Sequence, residues 1–383
     1  MRRIIGAALS GLLVIGMVVV GAAQLTGWRG GGARLASPGA PSGFFSSSSD
    51  PSMPAEVTTV RGVVGSEKKA FFADPEVQRV FAASGLDVEV DTAGSREIAT
   101  STDLDKYDFA FPSSAPAAEK IKRERETLGV YSPFYSPIAI ASFQPIVDVL
   151  QSAGVAQKTP AGYWTFDVNA YLELVAKQTR WDQIEGNTTY PASKTMLVTT
   201  TDVRRSNSAA MYLALASYTA NGNRVVSDKR EAVAVLPSMA RLFLGQGYSE
   251  SSTEAPFEDY LALGAGKTPM LLTYESLFLD RQMRNDGSIT QDMVLLYPTP
   301  DVLSKHTVLA LNENGDKVGQ LLSENADLQR LAAKYGFRTT NPSTFRDVLT
   351  SSGVALPPDL MNIVEPPRYE LLEYMIATLE KQY

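Results

Sequence analysis

The sequence predicts an α/β protein of two lobes built on a mostly parallel sheet, and three observations predict it. Three short apolar runs, Val57–Val64, Leu86–Val90 and Tyr107–Phe111, each end in small polar residues. Helix-like segments separate these runs, so the order reads strand, helix, strand, helix, strand. That order favours parallel strands that receive ligands at their ends. Finally, two extended runs, Val130–Ala141 and Asp292–Pro300, are rich in apolar residues yet broken by prolines. A residue before proline is pushed out of helical geometry, so these runs are expected to carry the chain from one lobe to the other and back.

At the N-terminus, Met1, Arg2 and Arg3 precede Ile4–Ala23, an uncharged apolar stretch close to the ~20 residues a helix needs to cross a bilayer. Positive charge at the start holds that end in the cytoplasm and places everything after Ala23 outside. Residues 1–26 therefore read as a membrane anchor or signal segment. Gly21, Ala22 and Ala23 offer a small-residue cleavage site for the signal reading. The expected location is the cell membrane, single-pass with the globular part extracytoplasmic, or secreted if the segment is cut. Residues 27–54, rich in Gly, Ser and Pro, cannot bury enough apolar surface to order themselves and read as a linker.

The remainder divides into a first lobe, residues 55–137 and 297–383, and a second, residues 138–296. A highly charged helix is expected at Glu119–Thr127, ahead of the first crossing. In the second lobe, helices are expected at Gln144–Ala153, Val168–Thr179, Ala209–Thr219, Glu231–Leu244 and Glu254–Leu263, with strands at Thr195–Thr200 and Pro269–Ser276. After the return crossing come a strand at Thr307–Leu311, a turn at Asn312–Asp316 and a helix at Gln320–Tyr335 before Gly336. Helices near Thr344–Ser351 and Arg368–Gln382 complete the chain.

Composition narrows the chemistry. The chain has no cysteine, which removes disulfides, thiolate metal sites, thiol nucleophiles and a lipidated-cysteine anchor together. It has one histidine, His306, and neither a nucleophile elbow nor paired-histidine spacing. His306 reads as a surface or hinge-side residue, and no catalytic residue, metal site or cofactor is expected. Residues 1–30 contain Arg2, Arg3 and Arg29 but no acid, so the formal net charge of −7 becomes −10 beyond them. That balance argues against a nucleic-acid partner, which needs clustered Lys and Arg.

Several short strings together resemble a known family: Arg61–Lys68, Gly94–Ile98, Tyr107–Pro112, Thr201–Ala210, Thr273–Ser276 and Leu331–Arg338. Their order over roughly residues 57–340, with two crossings between, resembles the type II periplasmic, or extracellular, solute-binding proteins of ABC transport systems. Leu331–Arg338 is similar to the helix closing the first lobe in the molybdate, sulfate and phosphate-like branches. The resemblance implies two α/β lobes that close on a small solute about hinge strands, with an ABC permease or other membrane protein as a possible partner. Matching ligand-facing positions are Gly65, Ser66 and Glu67 after the first strand, Ser95 and Arg96 after the second, and Ser113 and Ser114 after the third. In the second lobe they are Arg205, Ser206, Asn207 and Ser208, with Tyr274 and Glu275 near its mouth.

Ser206–Ser208 open a helix whose free N–H groups would suit an oxyanion, but such residues are as often simple N-caps. Ser113 and Ser114, between Pro112 and Pro116, read equally as a helix start. Glu67 and Lys68 read as a solvated pair worth little. Arg96 and Arg205 suit bidentate recognition of an oxyanion. Carboxylates at Glu67, Glu97 and Glu275 raise the cost of binding an anion, so a cationic or amphoteric solute stays open. A second function is a membrane-anchored protein-interaction or envelope-assembly module that keeps the fold and fills its cleft with side chains. An enzyme using Glu67 or Glu275 as general base lacks a recognisable second chemical partner.

Overall fold

The computed structural model describes residues 57–383 except Tyr248 and Met361. The expected anchor, cleavage site and linker, residues 1–54, lie outside the described residues. Among the described residues no helix is long and apolar enough to cross a membrane.

The strands are β1 (Thr58–Val64), β2 (Leu86–Thr92), β3 (Phe109–Phe111), β4 (Gly129–Phe143), β5 (Ala156–Lys158), β6 (Trp164–Asp167), β7 (Met270–Tyr274), β8 (Met293–Thr299), β9 (Asp301–Ala310), β10 (Arg338–Thr339) and β11 (Ile363–Val364). They hydrogen-bond in the order β2-β1-β3-β9-β4-β8-β6-β5, with β7 and β10 also on β4 and β11 on β9. β2, β1 and β3 run parallel, as the alternation of strands and helices requires. The sheet is not mostly parallel as expected, however: β9 lies antiparallel to β3, and β4 pairs antiparallel with β7, β8, β9 and β10, because the crossing strands carry the chain back and forth between the lobes.

The two proline-broken runs are the crossings. The stretch of β4 from Gly129 to Pro137 pairs with β9, whereas that from Ile138 to Phe143 turns to β7 and β8. β8 then hands the chain through Pro300 directly to β9. Pro133 falls where the β4–β9 register shifts, between Tyr131 and Phe134. A bulge of this kind is a position where a missing N–H is tolerated.

Two large apolar clusters sit on either side of these crossings. One gathers Val60, Val64, Phe71, Phe72, Phe109, Phe111, Phe134, Val308, Leu328 and Leu331. The other gathers Ile140, Phe166, Tyr171, Trp181, Met211, Met239, Phe257 and Leu271. The C-terminal helix Tyr369–Glu380 buries Leu372, Met375, Ile376 and Leu379 in the second cluster. This differs from the assignment of all of 297–383 to the first lobe, because the helix's apolar stripe meets the helix Lys229–Leu244 rather than the first-lobe strands.

Three further elements differ from expectation, one being the helix expected at Gln320–Tyr335, which breaks at the extended Asn325 into Glu313–Glu324 and Ala326–Lys334. Residues 195–200 form no strand, only isolated bridges of Thr195 with Arg180 and Thr199 with Leu271. The expected turn at 312–316 instead opens a helix, Glu313–Glu324, with the Asn312 side chain accepting from the Asn314 and Gly315 N–H groups. Turn-forming residues and an N-cap have the same composition, so the string alone could not separate them. Gly315 is needed there, since a Cβ would come within 1.9 Å of the Asp108 carbonyl oxygen.

Candidate functional site

The ends of β1, β2 and β3 and the starts of two second-lobe helices meet at one place. Between them lies a cavity of about 340 Å³, lined by Gly65, Ser66, Glu67, residues 92–95 and Glu97 from one side and by Arg205, Ser206, Asn207, residues 251–254 and Tyr274 from the other. Each position follows from local structure. Gly65 and Gly94 precede helix starts in extended backbone, and Ser206 and Thr253 precede the helices Asn207–Ala220 and Glu254–Leu263. The lobes touch closely here: a Cβ on Gly94 would lie 2.5 Å from the Arg205 carbonyl oxygen.

Behind the cavity sits a buried polar cluster. The Lys68 ammonium, with no exposure, donates to Glu67 Oε1 at 2.5 Å and Ser113 Oγ at 2.7 Å, and lies 3.2 Å from His306 Nδ1. It also stands 4.7 Å from the centre of the Phe111 ring. Ser113 Oγ donates to the same Glu67 oxygen. The Glu67 carboxylate folds back over Gly65, where a Cβ would sit 2.5 and 2.7 Å from its two oxygens. His306 is fully buried among Phe111, Phe134, Tyr274 and Phe337.

Electrostatics follow from this crowding. Burial alone would raise the Glu67 carboxyl, but Lys68, His306 and the hydrogen bonds outweigh it and hold the pKa at about 2. Burial pulls Lys68 below its ordinary value, with Glu67 opposing. Burial and the Lys68 charge push His306 well below the usual imidazole range, so its ring is neutral. Across the cavity, burial and the Glu67 charge raise the Glu254 carboxyl.

Asn207 ties the lobes together. Its Nδ2 donates to the Ser113 carbonyl at 3.0 Å, to Tyr274 OH at 3.1 Å and to Ser304 Oγ at 2.9 Å. Its Oδ1 has no hydrogen-bond partner among the described residues. Beside the cavity, the Arg96 Nε–H is shared between the two Glu373 carboxylate oxygens at 3.0 and 2.8 Å, and its Nη1 donates to the Arg204 carbonyl at 3.1 Å.

No family model matches the chain, and no curated protein matches it. Solved structures do. A periplasmic thiamin binding protein superposes with a TM-score of 0.51 at 10% identity, over 85% of this chain and 96% of that one. The apo ferric ion-binding protein A of Pasteurella haemolytica superposes with a TM-score of 0.51 at 11% identity, over 84% and 98%. The sulfate-binding protein SubI of Mycobacterium tuberculosis gives 0.48 at 13% identity, over 85% and 99%. The fold is that of type II periplasmic binding proteins.

In this binding-protein fold, Gly65, Ser66, Glu67, Ser95, Arg205, Ser206, Asn207 and Tyr274 line the cavity. Ser113 lies directly behind it. The others are spent elsewhere. Ser114 caps the helix Ala115–Glu124, and Ser208 joins Thr201, Ser206 and Thr253 in a buried hydroxyl cluster. Arg96 is committed to Glu373 and lies outside this cavity. Glu275 is fully buried, held by Arg338 at 2.7 and 2.8 Å and by Tyr297 OH at 2.8 Å, and does not face the cavity. It starts a helix immediately after β7, and its side chain turns to the hinge rather than the cleft.

Two sequence readings are corrected. Glu67 and Lys68 are not a solvated pair, because the turn after β1 folds both under β3 and β9. His306 is on a hinge strand but not at the surface, since β9 is flanked by β3 and β4. Sequence reasoning also missed residues 251–254. Their signal was available, since Ser251, Ser252, Thr253 and Glu254 precede an apolar helix as Ser206, Asn207 and Ser208 do. Among the described residues no group of three or more His, Asp or Glu is gathered to hold a metal ion.

Proposed function

We propose that this chain is an extracytoplasmic solute-binding receptor whose two lobes close on a small polar solute and deliver it to a membrane permease of the ABC type. The observation that carries this reading is the cavity of about 340 Å³ at the lobe junction, walled by strand ends and helix starts from both lobes. Ligands of open α/β sheets bind at such strand ends. The neighbours with this fold include a thiamin binding and a ferric ion-binding protein by name.

The solute is cationic or zwitterionic rather than a free oxyanion. Glu67, Glu97 and Glu254 face the cavity against Arg205, while Lys68 is sealed behind Glu67. With Glu67 paired to Lys68, a bare anion would still meet two carboxylates, Glu97 and Glu254, with one guanidinium to offset them. A zwitterion would place its carboxylate at Arg205 and its ammonium near Glu97 and Glu254. The N-terminal segment is proposed to hold the receptor at the membrane.

The test is a thermal-shift panel on the full chain with amino acids, polyamines, thiamine-like cations, sugars and oxyanions. Specific ligands of the native state raise Tm by mass action. One stabilising class of cations or zwitterions, lost in Arg205→Ala or Glu254→Gln with folding retained, supports the receptor. A folded protein with no response to any class moves the reading to the protein-interaction module.

A further inference from the structure

We propose that Glu67 is a built-in anion: its carboxylate fills an oxyanion cradle made by Lys68, Ser113 and Gly65, and so excludes anionic solutes from the cleft. The exclusion of anions rests on the receptor reading above; the filled cradle does not.

The cradle is assembled from groups that would serve a free anion equally well. Lys68 Nζ and Ser113 Oγ both donate to Glu67 Oε1, and His306 Nδ1 lies 3.5 Å from it. Lys68, Ser113 and His306 are all fully buried, so this is a built site rather than a surface encounter. Gly65 completes it by omission, because a Cβ there would stand within 2.7 Å of both carboxylate oxygens. An ion pair shut away from water is costly to break on one side only, since the partner is left buried with an uncompensated charge. Lys68 therefore demands an anion in this position. The chain supplies one from the adjacent residue, in a position that a solute carboxylate or oxyanion would otherwise occupy. With the cradle filled, the cavity wall presents carboxylate where an open cradle would present ammonium.

The prediction is a rescue. Glu67→Ala removes the carboxylate and leaves its donors, so the full-length variant should recruit a small monocarboxylate. Sodium formate and sodium acetate are titrated against sodium chloride at matched ionic strength, and Tm is followed for wild type, Glu67→Ala and Glu67→Ala/Lys68→Met. Wild type should not respond to formate beyond chloride. Glu67→Ala should melt lower and then gain about 2 °C or more, saturably, at roughly ten times Kd. The double variant should show no gain, because the ammonium that recruits the anion is gone. Where Glu67→Ala is unfolded in chloride, the expected result is formate-dependent recovery of a cooperative transition. The absence of any formate-specific gain in Glu67→Ala, folded or not, overturns the proposal. So does a saturable formate or sulfate response in wild type that Lys68→Met abolishes, since the cradle would then be open. Rescue reads the cradle alone: a chain that captures no solute can still show it, and solute capture without rescue removes this proposal while leaving the receptor intact.

Discussion

His306 and Glu67 are neighbours whose protonation is set by the same burial, and together they make the protein acid-sensitive in two stages. Both have folded-state pKa values below their ordinary ones, His306 well below 6.5 and Glu67 at about 2 instead of 4.5. At these two groups the unfolded chain therefore binds more protons than the folded one as pH falls. The stability linked to His306 is fully present above about pH 6.5 and is lost below it. The Glu67 contribution is present above about pH 4.5 and is lost toward pH 2. One proton taken up only on unfolding gives a slope of about 1.4 kcal/mol per pH unit. Because raised carboxyls such as Asp301 act with the opposite sign, the His306 contribution is read as a difference: wild-type Tm should fall more steeply than that of His306→Gln between pH 6.5 and 5. Equal slopes for the two proteins in that window would remove His306 as the cause.

At the scale of elements, the helix beginning at Glu275 and the strand β10 are joined by the Glu275–Arg338 pair, backed by Tyr297 and the Pro358 carbonyl. Near it, burial raises the Asp301 carboxyl well above its ordinary range. Glu275→Gln leaves Arg338 buried with an unmatched charge and should cost about 3–5 kcal/mol. In Glu275→Leu/Arg338→Met much of that loss should return, because apolar replacement of a buried pair is often neutral. Urea unfolding distinguishes this from a ligand role: a stable Glu275→Gln that binds no solute would return Glu275 to the site. The C-terminal helix presents a weaker contact. Arg96–Glu373 is partly solvated, so Arg96→Ala should change stability by only about 0.2–1 kcal/mol. Its expected effect is a few-fold loss of solute affinity, read by calorimetric titration, because it joins a first-lobe helix to a helix rooted in the second cluster.

For the whole molecule, closure depends on backbones that approach without side chains between them. Gly94 has ordinary helical-entry geometry, φ −65° and ψ 146°, so alanine there is not strained; it simply has no room against the Arg205 carbonyl. Gly94→Ala should leave the fold intact and hold the lobes apart. Solute affinity should then drop about tenfold or more, equivalent to at least ~1.4 kcal/mol. Small-angle scattering with saturating solute should show a larger radius of gyration than wild type. An unchanged affinity would mean the lobes close elsewhere.

The sequence by itself determined the three parallel strands β1, β2 and β3 and both proline-marked crossings, because alternation and proline are local signals that tertiary contacts rarely reverse, whereas the antiparallel pairing of the crossing strands was not legible in it. It also carried the lack of cysteine chemistry and the apolar N-terminal segment. Only the tertiary structure decided which charged residues face the cavity. Glu67, Arg96 and Glu275 look alike as strings, yet one folds back onto Lys68, one reaches Glu373 and one turns to Arg338. His306 and Lys68 became interior groups through strand pairing and a turn that local composition does not encode. The C-terminal helix likewise took its lobe from the apolar surface it met, not from its place in the chain. A charged side chain's role is set by which opposite charge reaches it first through space, and that partner lies in these cases as near as one residue and as far as 277.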